Sequence, residues 1–165
     1  MIRLANYEDL HHIMKIIKDT IALMEADNNT QWDNSYPTCD DFKKDIDNKN
    51  LYVLIDEDIL KGFICINQEE AAEYKDLKWS HDKEFLVVHR MAVNAHYRKR
   101  GIGSKLLNYA DDLARKNGVT LIKTDTYSLN KKMNNLFKKS GYKNVGEVNL
   151  KTKLLKFNCY EKFLG

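Results

Sequence analysis

Apolar residues fall at Leu10, Ile13, Met14, Ile17, Ile21 and Met24, a spacing of three and four that predicts a helix running on from Tyr7. Residues 1–5 ahead of it read as a short strand. Residues 28–38 are polar and irregular, and they hold Trp32, Tyr36 and the chain's one proline, Pro37. Thr38 or Asp40 is placed to cap a second helix reaching Asp47. Residues 51–55 and 59–66 form a hairpin across Asp56, Glu57 and Asp58. A long apolar run, 85–93, predicts a central strand. Leu106, Leu107, Ala110, Leu113 and Ala114 then recur at helical spacing within 102–117, and Gly118 suits a left-handed stop. Residues 121–127 set Leu121, Lys123, Asp125 and Tyr127 against Ile122, Thr124 and Thr126, so they predict another strand. Asn130 opens a helix with Met133, Leu136 and Phe137 inward, ended by Gly141. Strands at 142–148 and 154–163 complete the sheet. The pattern predicts one α/β domain over 1–165, without repeats or linkers.

Composition narrows this only modestly. The 165 residues, 43% hydrophobic and 31% charged, describe a globular chain large enough to bury a core. No segment approaches the ~20 continuous apolar residues of a membrane helix. Met1-Ile2-Arg3-Leu4-Ala5 lacks the basic-then-apolar order of a secretory signal. Cys39, Cys65 and Cys159 show neither disulfide nor metal spacing, so the expectation is a reduced cytoplasm and no metal. The net charge of +3 is the difference between 27 basic and 24 acidic residues and does not imply nucleic acid. Its distribution is more telling. Positive charge gathers at 98–100, 131–132 and 138–139, whereas 40–47 and 56–58 are acid-rich.

The first basic cluster belongs to Arg98-Lys99-Arg100-Gly101-Ile102-Gly103-Ser104, between the central strand and the helix after it. Helix N-terminal amides lack backbone partners and carry the positive end of the dipole. Gly101 and Gly103 remove side chains that would keep an anion off those amides, and the three cations add charge. A phosphorylated ligand is the expectation. Two familiar phosphate motifs are excluded: Gly103 is followed by Ser104 before Lys105, and position 106 is Leu106 where a dinucleotide fingerprint needs glycine.

What remains, R-x-x-G-x-G opening a helix after a strand, resembles the GNAT acyltransferase superfamily, with its [QR]-x-x-G-x-[GA] motif. HRMAVNAHYRKRGIGSKLL is similar to that family's fourth strand, pyrophosphate loop and third helix. TYSLNKKMNNLFKKSGYKNVG resembles its later strand-helix-strand segment, through Asn130, Gly141 and Tyr142. The resemblance implies a mixed central sheet of six to seven strands flanked by about four helices, with a V-shaped cleft between the fourth and fifth strands. It implies acetyl-CoA as donor, the main chain of Met91 and Val93 bonding its pantetheine amides as an added strand would. Arg98, Lys99, Arg100, Gly101, Ile102, Gly103 and Ser104 would take the pyrophosphate, with Asn130 on the far side of the pantetheine arm.

The implied reaction is direct attack of a neutral primary amine on the thioester in a ternary complex. Deprotonating a lysine-like amine at pH 7 costs about 4–5 kcal/mol and an α-amine about 1, while the leaving thiol needs only ~2. The base therefore matters more than the acid. Phe137 stands where the family carries its proton-donating tyrosine, so water takes that role or leaving-group protonation is unassisted, and Phe137 is left to pack against the cysteamine end. The family's strand glutamate is matched by Val87. His89, two residues on, shares that face and has a suitable ordinary pKa near 6.5. His89 or Glu84 is the candidate relay for the amine proton, with Asp125 and Tyr127 on the facing strand as alternatives. Trp32 and Tyr36 border the implied acceptor pocket, either as its aromatic wall or as packing for the loop. The acceptor itself, a small molecule or a peptide N-terminus, is open. So is a homodimer through the C-terminal strand. Competing readings are a non-catalytic acyl-CoA sensor, suggested by Phe137 and Val87, and a nucleic-acid binder, for which no aromatic-basic surface is evident. No membrane partner is expected.

Overall fold

The computed structural model describes residues 1–81 and 84–165. Seven strands and four α-helices alternate along it: β1 (Ile2–Leu4), α1 (Leu10–Ala26), α2 (Cys39–Asp47), β2 (Leu51–Asp56), β3 (Ile59–Asn67), β4 (Phe85–Val93), α3 (Ile102–Lys116), β5 (Leu121–Tyr127), α4 (Lys131–Lys139), β6 (Lys143–Val148) and β7 (Phe157–Phe163). The strands form one sheet in the order β1-β2-β3-β4-β5-β7-β6. It is mixed, because β4 and β5 run parallel while β1–β2, β2–β3, β5–β7 and β6–β7 are antiparallel.

By internal contacts the chain divides into two compact units, Met1–Ile66 with Arg90–Leu106, and Asn67–His89 with Leu107–Gly165. β4 and α3 each run through both. In the first unit Ile13, Ile17 and Ile21 of α1, Phe42 of α2 and Val53 and Phe63 of the hairpin share one core. Of the two candidate caps Thr38 takes the role, in a reciprocal box with Asp41. Glu57 and Asp58 both take positive φ in the two-residue β2–β3 turn. Gly62 is required by space: a Cβ there would lie 3.0 Å from the Ala92 carbonyl and 3.2 Å from Ile102 Cγ2. Its absence lets β3 lie close against the end of β4 and the start of α3.

In the second unit Tyr74, Val87, Tyr127, Val148, Phe157 and Cys159 form another core. The parallel ladder pairs Phe85–Val88 with Leu121–Thr124 and, among the described residues, ends there, although β5 continues to Tyr127. At that last pair the buried Thr124 donates its hydroxyl to the Val88 carbonyl at 2.9 Å. Thr124→Val is therefore expected to cost about 1 kcal/mol, a few degrees of Tm, by removing that bond. Thr124→Ser should restore it in thermal unfolding, and an unchanged Tm in the valine variant would contradict this role.

Two expectations are corrected at the C-terminus. The last strand begins at Phe157 and not at 154, because Leu154 and Leu155 are exposed at 93% and 40% despite being apolar. β7 is paired on both sides, by β5 and by β6, so no edge of the C-terminal strand is left for a second copy. The sheet's edges are β1 and β6, and β6 carries a register shift and the exposed Lys143 and Glu147 that discourage pairing.

Candidate active site

In the first unit the loop before α3 is built from its anchors upward. Asn94 ends β4 with its amide bonded to the Lys61 carbonyl at 2.9 Å and its side chain donating to the Leu60 carbonyl at 3.1 Å. A short turn, Ala95–Tyr97, follows, and Arg98 is extended. Lys99 and Gly101 then take positive φ, +62° and +74°. A Cβ at Gly101 would meet nothing within 4 Å, so it is the left-handed backbone that calls for glycine there. The first helical bond runs from the Lys105 amide to the Gly101 carbonyl at 3.0 Å, which leaves the amides of Ile102, Gly103 and Ser104 ahead of any helical acceptor. Ile102 is buried and anchors this turn, while Lys99, Arg100 and Gly101 are exposed. The Arg100 guanidinium sits 5.5 Å over the Tyr97 ring. Burial holds Arg98 below the ordinary arginine pKa, opposed by Asp27; it stays cationic with part of its hydration removed. Amides ahead of any helical acceptor, three cations and a bare backbone are the groups an anion would need.

Met91 is buried and Val93 half-buried, and both lie on β4 past the last β4–β5 ladder pair at Val88. Trp32 is 7% exposed within the first unit's core, which is the packing alternative for that residue. Tyr36 is half-buried, and its hydroxyl accepts from Arg90 at 2.8 Å. Sequence reading missed the Arg90 cluster: Nε and Nη2 grip both carboxylate oxygens of Asp45 at 2.6–2.9 Å. Much of the acid-rich stretch is thus structural, Asp41 capping and Asp45 pairing.

In the second unit His89 is half-buried, with Nε2 2.6 Å from Asn67 Oδ1. Glu84 is exposed just before β4; five residue steps along extended chain separate it from His89, about 16 Å. The two candidate bases are therefore not brought together. Tyr127 is 1% exposed and its hydroxyl accepts from the Leu155 amide at 3.1 Å. Asp125 receives a hydrogen bond from the buried Tyr74 hydroxyl. Burial pushes the Asp125 carboxyl up, opposed by that bond and by Lys151.

Asn130 caps α4, its Oδ1 accepting from the Met133 amide at 3.1 Å. Phe137 is 2% exposed, its ring 5.4 Å from Tyr142 and 5.5 Å from Tyr160. The buried Asn134, not singled out from sequence, ties this region together. It donates to the Tyr127 and Asn130 carbonyls at 3.1 and 2.9 Å and accepts from Asn158 and Tyr160 at 2.9 and 2.5 Å. All four of its amide's hydrogen-bonding positions are used. An asparagine on the inward stripe with Met133 and Phe137 was the available signal.

Burial pushes the Cys65 and Cys159 thiols up to about 12, so neither is a nucleophile at neutral pH.

The sequence matches the model of the Acetyltransferase (GNAT) family over residues 18–142. Comparison with curated proteins finds no match. Among solved structures, a Staphylococcus aureus Mu50 protein provisionally assigned as an acetyltransferase is 32% identical, with 100% of this chain and 99% of that one covered and a TM-score of 0.80. A GNAT-family acetyltransferase from Streptococcus agalactiae 2603 is 26% identical, covering 99% and 94%, at a TM-score of 0.87. The yncA protein of Salmonella typhimurium, solved with its cofactor acetyl-CoA, shares the fold at 17% identity and a TM-score of 0.72 over 100% and 94% of the chains. A family match over most of the chain and a shared fold from end to end agree: the chain belongs to the GNAT family of acetyltransferases and is an N-acetyltransferase of that type.

Proposed function

We propose that this enzyme transfers the acetyl group of acetyl-CoA to a primary amine by direct attack. The observation that carries the reading is the start of α3, where left-handed Lys99 and Gly101 set the amides of Ile102, Gly103 and Ser104 beside Arg98 and Arg100. These groups suit a pyrophosphate. In the first unit the main chain of Met91 and Val93 offers bonds to the pantetheine amides. In the second, Asn130 and the apolar ring of Phe137 are assigned to the pantetheine and cysteamine portions. The amine nitrogen forms its bond to the thioester carbon as the C–S bond breaks; the thiolate leaves with the electron pair and is protonated by water. The amine proton passes to His89, with Glu84 and Tyr127 as alternatives. The unreactive Cys65 and Cys159 favour direct attack over an acyl-enzyme.

Tyr36, half-exposed and held by Arg90, is assigned to the acceptor side together with the loop that Trp32 packs. The acceptor class is a small-molecule amine or a peptide N-terminus, whose α-amine is the least costly to deprotonate. We read 1–165 as one acetyltransferase domain, since β4 and α3 run through both units and the family match includes parts of each. No helix among the described residues is long and apolar enough to cross a membrane; together with three free cysteines this supports a cytoplasmic setting. The test of the base is kinetic. His89→Ala is expected to lower kcat/KM about a hundredfold at neutral pH, and Glu84→Gln to have little effect. Full kcat/KM in both variants across the pH range would remove both residues from the mechanism.

A further inference from the structure

Asn67 ends β3, and its side-chain oxygen faces two groups. It accepts from the Glu69 backbone amide at 2.9 Å, closing an Asx turn, and it lies 2.6 Å from His89 Nε2. The first bond identifies the atom: a backbone N–H needs an acceptor, so the amide oxygen and not its NH2 occupies this position. An amide oxygen cannot donate. The proton in the bond to His89 must therefore be carried by Nε2, and a neutral imidazole with Nε2–H holds its lone pair on Nδ1. Both residues are half-buried, which keeps water from competing freely for the bond.

We propose that Asn67 is a positioning residue that holds His89 as the Nε2–H tautomer and so presents Nδ1 as the atom that receives the acceptor's proton. The proposal rests on the reading of His89 as base. Asn67 touches no reacting atom; it acts by fixing which nitrogen is basic and how the ring is turned. The Asx turn makes the arrangement rigid, because rotating the Asn67 amide to free His89 would also break the Glu69 bond. Asp at this position would keep both acceptor contacts, whereas Leu would keep the volume and lose them.

The test combines ring spectroscopy with kinetics on the full chain. Nitrogen-15 spectra of histidine-labelled protein, with the His89 signals assigned through His89→Gln, are expected to show protonated Nε2 and unprotonated Nδ1 at a pH where the ring is neutral. Asn67→Leu should turn these into averaged signals of two tautomers and lower kcat roughly tenfold with KM for acetyl-CoA unchanged. Asn67→Asp should keep the single tautomer and most of kcat. Wild-type ring signals of the Nδ1–H form, or signals that Asn67→Leu leaves in place, would overturn the tautomer lock itself. A tautomer lost in Asn67→Leu while Asn67→Leu and His89→Ala both keep wild-type kcat would leave the lock standing and overturn its catalytic role, the fault then lying with His89 as base.

Discussion

Gly103→Glu is expected to abolish measurable acetyl-CoA binding while leaving the protein folded. Gly103 is the second residue of α3 and half-exposed, in the turn whose amides are assigned to the pyrophosphate. A carboxylate there would stand where the ligand's negative charge is to sit. Two like charges about 4 Å apart at an effective dielectric near 20 repel by about 4 kcal/mol, roughly a thousandfold in Kd. The same carboxylate lies near the positive end of the helix dipole, so it should not harm the fold. Calorimetric titration should show saturable binding by wild type and none by the variant, with thermal unfolding nearly unchanged. Equal affinity in both would leave Gly101 and Gly103 as turn residues only.

Arg90→Ala should produce the largest loss of stability. Arg90 and Asp45 side chains are 17% and 6% exposed, and two guanidinium nitrogens hold both carboxylate oxygens. Removing the cation strands the Asp45 carboxylate, at a cost of about 3–5 kcal/mol. For a chain of this length that corresponds to a fall in Tm of about 10 °C. The Tyr36 hydroxyl also loses its donor, which links the pair to the loop assigned to the acceptor. Replacing both partners, Arg90→Met with Asp45→Leu, should recover much of the loss, since the stranded charge and not the missing attraction is the main cost. A single variant melting with wild type would contradict the account of a buried pair.

Much of the fold was legible because local patterns agree with it. The period of α1, the capping residue Thr38 before α2 and the long apolar run of β4 each specify their element without reference to distant residues. The loop before α3 was readable for the same reason: glycine positions and charge sit within seven residues. What was not readable depends on pairing across the chain. Nothing local says that β7 slips between β5 and β6, or that Arg90 reaches back 45 residues to Asp45. Tyr74 lies in a stretch between β3 and β4 with no hydrophobic period, held in a short 3-10 turn, Ala72–Asp76, so its bond to Asp125 left no trace in the pattern. Leu154 misled in the opposite direction, being apolar in a loop that leaves it exposed. In the candidate site the main-chain roles could be assigned by motif, but the neighbours that orient His89 and Tyr127 emerge only from tertiary contacts.

The most direct test of acetyl transfer to an amine is an initial-rate measurement with acetyl-CoA and a panel of α-amines, diamines and lysine-like amines. Free CoA thiol and N-acetylated product are followed together, and the protein is weighed by mass spectrometry during turnover. Direct attack predicts equal yields of the two products with at least one amine, intersecting double-reciprocal lines, and no acetylated protein. Parallel lines with an acetyl group on the enzyme, Cys39 being its half-buried cysteine, would contradict direct attack. Acetyl-CoA binding without product from any amine in the panel would contradict the proposed acceptor class.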